Sequence, residues 1–139
     1  GDPETQVILP RLQSDLVDLL EAVVDGRLAD VEVRWKPRAA VCVVMASAGY
    51  PGSYQSGKVI KGLAEVDAMT DVHVFHAGTK RLEHLTVSSG GRVLGVTGLG
   101  EDVAAAQQRA YAAVERIHFE NAYYRRDIGY RAVSAASTT

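Results

Sequence analysis

An α+β fold is the architecture this chain predicts, and three observations carry it. Two stretches repeat their apolar residues at helical spacing, Leu12 to Val23 and Val103 to Ile117. Four others read as strands: Val31 to Trp35, Ala39 to Met45, Val72 to Ala77 and Arg92 to Thr97. The strands outnumber the helices and do not alternate regularly with them, which argues against a parallel sheet built from βαβ units.

Each element has a local reason. A short turn is expected over Glu4 to Ile8, with Pro10 separating it from the first helix because proline lacks the amide a helix interior needs. In that helix Leu12, Leu16, Leu19, Leu20 and Val23 share a face, Ser14 is the expected N-cap with Asp15 in the first turn, and Gly26 is a good stop. Val31 to Trp35 alternates like a half-buried strand; after Pro37, Ala39 to Met45 is apolar enough to be buried on both faces. Three glycines and a proline make Gly49 to Gly57 a loop. The strands Val72 to Ala77 and Arg92 to Thr97 are separated by a turn near Ser88 to Gly91. The second long helix runs from Asp102 to Ile117, with Val103, Ala106, Ala110, Ala113, Val114 and Ile117 inward. The small polar tail Ser134 to Thr139 is expected to fray.

Composition narrows the function classes. A net charge of −2 offers no basic field for nucleic acid. No apolar run approaches the roughly 20 residues that a membrane helix needs, and GDPETQ at the start has neither the basic flank nor the apolar stretch of a signal peptide. One cysteine, Cys42, excludes an internal disulfide framework and favours a reducing, cytoplasmic setting. Cys42 lies in a buried apolar strand, where an inert thiol is expected. His73 and His76 are three apart on a strand and therefore face opposite ways, so they do not share a metal ion.

Four groups of residues are candidates for chemistry. Asp2 and Glu4 flank Pro3, which fixes the local backbone; their alternative role is to cap a helical turn starting at Pro3. The turn Gly49-Tyr50-Pro51-Gly52 follows a buried strand, and its glycine amides allow close approach to an anion; alternatively it is an ordinary Pro-Gly turn with Tyr50 packed as a lid. Lys80 ends the polar segment His76 to Lys80 and is a possible phosphate contact, although exposed strand-end lysines are common. Arg125, Arg126, Asp127 and Arg131 form the densest charge cluster, read either as a phosphate site or as an Arg–Asp network fastening the C-terminal segment.

Taken in order, GDPETQ (Gly1 to Gln6), VCVVMASAGYPGSYQSG (Val41 to Gly57), HAGTK (His76 to Lys80) and YRRDIGYRAV (Tyr124 to Val133) resemble the C-terminal region of the phosphoribosylamine–glycine ligase family of purine biosynthesis. The resemblance runs from Gly1 to about Val133. It implies that residues 1–30 are the C-terminal end of an ATP-grasp domain. Residues 31–139 would then be the small C domain, a partly closed β-sandwich with a packed helix. It also implies ATP-dependent joining of glycine to 5-phosphoribosylamine through glycyl phosphate, with Mg or Mn neutralising the triphosphate. In that family the Glu and Asn metal ligands, the nucleotide-clamping lysines and the glycine-rich loop lie upstream of the GDPETQ segment. The chain by itself is therefore expected to bind no nucleotide and to have no ligase activity. Within the whole enzyme, Asp2, Pro3, Glu4, Gly49, Tyr50, Pro51, Gly52 and Lys80 would line the substrate site, with the carboxylates receiving an ammonium or amine. Two other classes stay open: the C domain of another ATP-grasp carboxylate–amine ligase, and a non-catalytic binding module.

Overall fold

The structure, a computed structural model, describes residues 1–136; the part of the tail at 137–139 lies outside the described residues. Its centre is a four-stranded sheet in the order β2-β5-β1-β6, every neighbouring pair antiparallel. The strands are β1 (Ala39–Ser47), β2 (Val72–His76), β5 (Arg92–Gly100) and β6 (Ala122–Tyr123). A hairpin of β3 (Thr79–Leu82) and β4 (Leu85–Ser88) forms a second, smaller sheet. Helices lie outside the sheet rather than between parallel strands, so the α+β expectation holds.

Opposed residues in the antiparallel ladder share a face. Val43 opposite Val96 and Met45 opposite Leu94 point to one side, where α4 (Val103–Val114) packs. Val43, Leu94, Val96, Ala110 and Ala113 are fully or almost fully buried there. The helix comes very close because two strand positions lack a side chain: a Cβ at Gly98 would overlap the backbone of Ala106 and Ala110, and one at Gly100 the backbone of Ala105 and Ala106. Asp102 caps this helix, accepting from the Ala105 amide at 2.7 Å.

The other face carries Cys42, Val44, Gly95 and Thr97, and α1 (Thr5–Arg11) lies on it. This overturns the expected turn over Glu4 to Ile8. Pro10 sits in the last turn of α1 and withholds the amide that would have bonded the Gln6 carbonyl. That carbonyl instead accepts the buried hydroxyl of Thr97 at 2.8 Å, which ties the helix to β5.

Two further expectations are corrected nearby. The second helix, α2, is shorter than expected (Leu16–Val24), and its cap is Asp15, whose carboxylate accepts from Val17 and Asp18. Ser14 faces the other way: its hydroxyl accepts the Arg34 amide at 2.7 Å and donates to the Glu32 carbonyl. Val31 to Trp35 consequently forms no strand of the sheet. Its backbone is spent on the 11–14 segment, through Gln13 and Ser14 bonding the Arg34 carbonyl and a bridge between Leu12 and Trp35.

The strands Ala39 to Met45, Val72 to Ala77 and Arg92 to Thr97, the loop at Gly49 to Gly57 and the helix in 102–117 all appear where expected, with β1 and β5 extending two and three residues further. Also not anticipated are a short 3-10 helix (Leu28–Asp30), α3 (Leu63–Asp67), the β3–β4 hairpin, β6 and α5 (Tyr130–Ala136). Because α5 runs to Ala136, Ser134 to Ala136 belong to a helix rather than to a frayed tail. No helix among the described residues is long and apolar enough to cross a membrane.

Candidate functional site

The start of β5 is where separate parts of the sequence meet. Arg92 faces the α1 side of the sheet, opposite Ala46, and pairs with Asp2 at 2.9 Å. The second Asp2 oxygen accepts from Gln6 Nε2 at 3.0 Å, so one turn of α1 and one strand end fix the same carboxylate. Asp2 therefore caps no backbone amide here; the Thr5 amide and hydroxyl bond the Gly1 carbonyl instead. Glu4 occupies the N-cap position of α1 without a side-chain cap bond and borders a groove with Pro3 and Val7. Gln6 Oε1 is buried without a hydrogen-bond partner among the described residues.

The backbone around Arg92 gathers the other segments. Its carbonyl accepts from Gly78 of the HAGTK segment at 2.9 Å, and Gly78 and Gly90 approach so closely that neither has room for a Cβ without a shift. Ser47 donates its amide to the Gly91 carbonyl and its hydroxyl to the Gly90 carbonyl. The loop that follows Ser47 then folds Tyr50 onto Gly91, where a Cβ would overlap the ring. Gly49 has φ +90° and its Cα faces the Ser53 carbonyl, so the turn requires glycine. The Asp2–Pro3 and Tyr50–Pro51 peptide bonds are both cis.

Asp2, Pro3 and Tyr50 are thereby brought together around Arg92. Pro3, Tyr50 and Arg92 line a mostly apolar cavity of 260 Å³ floored by Cys42, Val44 and Tyr124. Burial pushes the Cys42 thiol up from its ordinary range, as expected for an inert core thiol. Gly49 lines a separate, more polar cavity of 460 Å³ with Ser47, Tyr54 and Lys58, so the loop stands between two hollows. Lys80 is not drawn in: it is exposed on the β3–β4 hairpin opposite Val87 and makes no ion pair among the described residues.

The charged residues of the remaining clusters have partners of their own. Arg125 makes a two-pronged bond to Asp127 and holds that carboxyl below the usual carboxylate range, while Arg126 lies 5.2 Å over the Tyr124 ring. Arg131 bonds the Tyr130 hydroxyl at 3.0 Å. Arg38 grips Asp71 through both guanidinium nitrogens, and Arg109 adds a contact at 3.3 Å. His73 and His76 lie on opposite faces of β2, one across from Thr97 and the other from Leu94. Among the described residues no three His, Cys, Asp or Glu side chains gather as a metal-ligand set.

Arg92 is the functional candidate that sequence reading missed. The Gly90-Gly91-Arg92 run read only as a turn entering a strand, and nothing in the spacing placed a residue 90 positions from Asp2 beside it.

Comparisons with known proteins agree on one family. A family model described as phosphoribosylglycinamide synthetase, C domain, matches residues 40–131. The phosphoribosylamine–glycine ligase of Pseudomonas aeruginosa is 54% identical over 134 residues, which is 96% of this chain and 31% of that protein. The ligase of Rhodopirellula baltica is 48% identical over 98% of this chain and 31% of its own length. The crystal structure of the Thermotoga maritima phosphoribosylamine–glycine ligase superposes with a TM-score of 0.71 at 35% identity, covering 91% of this chain and 30% of that one. The chain thus spans about a third of the length of the relatives it matches. With the C-domain match covering most of the sequence and the relatives about half identical across nearly all of it, this chain belongs to the phosphoribosylamine–glycine ligase family and carries its C domain.

Proposed function

We propose that this chain is the C-terminal part of a ligase that joins glycine to 5-phosphoribosylamine at the expense of ATP in the cytoplasm. The observation that carries this reading is the convergence at Arg92: Asp2, Tyr50 and the HAGTK backbone meet on one strand end in a chain of this family. In the whole ligase Asp2 and Glu4 receive an ammonium or amine group, and the Gly49-Tyr50-Pro51-Gly52 turn closes over the bound substrate. Lys80 meets an anionic group carried by the phosphoribosyl substrate as a mobile point charge. ATP supplies the phosphoryl group that activates the carboxylate. Its divalent ion is held by the Glu and Asn that the family resemblance places upstream of the GDPETQ segment.

The boundary between the two parts of the ligase falls near residues 26–30, where Gly26 follows α2 with φ +67°. The apolar side of α2 supports a docking role for the arm that precedes this boundary. Val17, Leu20, Val23 and Val24 are 54–85% exposed, a surface that an upstream domain would cover.

The test is an assay of ADP release dependent on both glycine and phosphoribosylamine, run on the whole protein and on residues 1–139 alone. The whole protein is expected to be active and the shorter chain inactive. Mg-ATP should leave the melting temperature of residues 1–139 unchanged, whereas a nucleotide site occupied at about 100 times its Kd would stabilise the fold by roughly 2.7 kcal/mol. In the whole ligase, Asp2→Asn and Lys80→Ala should impair substrate use with folding intact. Unaltered kinetics in both variants would return those residues to a structural role.

A further inference from the structure

Asp2 is held unusually firmly for an exposed carboxylate. One of its oxygens accepts a hydrogen bond from Gln6 Nε2 at 3.0 Å, and the other forms an ion pair with Arg92 Nη2 at 2.9 Å. The two partners come from different elements, and both are anchored. Gln6 belongs to the helix whose carbonyl takes the Thr97 hydroxyl, and the backbone of Arg92 is fixed by Gly78. A stability role explains this poorly, since a pair with side chains 43% and 40% exposed contributes little in water. Orientation of a group that meets a ligand explains it directly.

Arg92 also keeps capacity. Its guanidinium is ion-paired with Asp2 but donates no hydrogen bond among the described residues, while its side chain lines the 260 Å³ cavity beside Pro3 and Tyr50. The site therefore presents a carboxylate and a partly free guanidinium side by side. That arrangement complements a molecule bearing an ammonium and a carboxylate a few bonds apart.

We infer that Arg92 is the positioning residue of this site: it aims the Asp2 carboxylate at the substrate's amino group, and the Asp2–Arg92 pair selects the zwitterion of a small amino acid. This rests on the ligase reading and deepens it by assigning the amino acid, rather than the phosphoribosyl substrate, to the pair. Tyr50 and Pro3 bound the space beside it, so a side chain on the amino acid would meet the ring.

The experiment is steady-state kinetics of the whole ligase with glycine and phosphoribosylamine varied separately, in the parent, Arg92→Ala and Arg92→Lys proteins. Arg92→Ala should raise the KM for glycine by about tenfold or more, with the KM for phosphoribosylamine within about twofold and the melting temperature nearly unchanged. Arg92→Lys keeps the charge but not the fork and should recover part of the loss. Equal rises in both KM values, or a glycine KM that does not move, would overturn the inference while leaving the ligase reading intact. Should Arg92→Ala fail to fold, the same two KM values in Arg92→Lys decide it. An inactive parent protein would overturn the ligase reading and this inference with it.

Discussion

The buried hydroxyl of Thr97 donates to the carbonyl of Gln6, 91 positions earlier, across 2.8 Å. It does so because Pro10 has no amide to offer that carbonyl. A proline that looks like a helix breaker thus supplies the acceptor that fastens α1, and with it Asp2, Pro3 and Glu4, to the sheet. Thr97→Val should cost about 1–3 kcal/mol by leaving the Gln6 carbonyl unpaired, and should lower ligase turnover by letting the arm shift. Pro10→Ala restores an amide donor, so the Thr97→Val penalty should shrink in that background. Chemical denaturation of the four proteins of this double-mutant cycle gives the coupling, and strict additivity would show that the two positions are independent.

Tyr50 and Gly91 should separate loop position from fold stability. The atoms nearest a Cβ at Gly91 belong to the partly exposed Tyr50 ring, which can swing away. Gly91→Ala is expected to shift stability by less than about 1 kcal/mol while kcat/KM falls. Gly49→Ala meets the Ser53 backbone at φ +90° and should cost more than about 1 kcal/mol from conformation alone. Thermal unfolding beside ligase kinetics would expose the contrast, and equal stability losses would contradict it.

Asp71 supplies an acid-sensitive clasp. The hydrogen bond from Arg38 holds its carboxyl below the ordinary carboxylate range, with the nearby charges of Arg38 and Arg109 adding to the effect. A carboxylate with a lower pKa folded than unfolded contributes stability above its unfolded value, near about 3.9, and loses it as pH falls through the folded value. The stability gap between the parent chain and Asp71→Asn should stay constant from about pH 5 to 8 and narrow below about pH 4. Urea unfolding across that range measures it; a gap that widens in acid would refute the assignment.

The exposed side of α2 should govern association of residues 1–139. Val17, Leu20 and Val24 follow helical spacing and are 61%, 55% and 85% exposed. Leu20→Glu with Val24→Lys should abolish concentration-dependent self-association in sedimentation runs. The same changes in the whole ligase should lower its melting temperature. A parent chain that is strictly monomeric, with α2 fully protected from hydrogen exchange, would show that this face is already covered.

Local pattern was enough for much of this protein. The apolar run of β1, the glycine- and proline-rich loop after it, the periodic face of α4 and the turn before β5 are properties of neighbouring residues, and each appears where its residues place it. The order of four short motifs was enough for the family. Tertiary structure decided what depends on partners distant in sequence. Ser14 has the chemistry of an N-cap, but the Arg34 amide claims its hydroxyl, and Asp15 caps instead. Val31 to Trp35 has a strand's alternation, yet its backbone bonds the 11–14 segment instead of a sheet edge. Arg92 is an ordinary residue in its own window and becomes the centre of the candidate site only when the ladder and α1 bring Asp2, Gly78 and Tyr50 to it. Periodicity and turn chemistry act over a few residues, whereas hydrogen-bond competition and ion pairing are settled among whichever groups the fold leaves adjacent and unpaired.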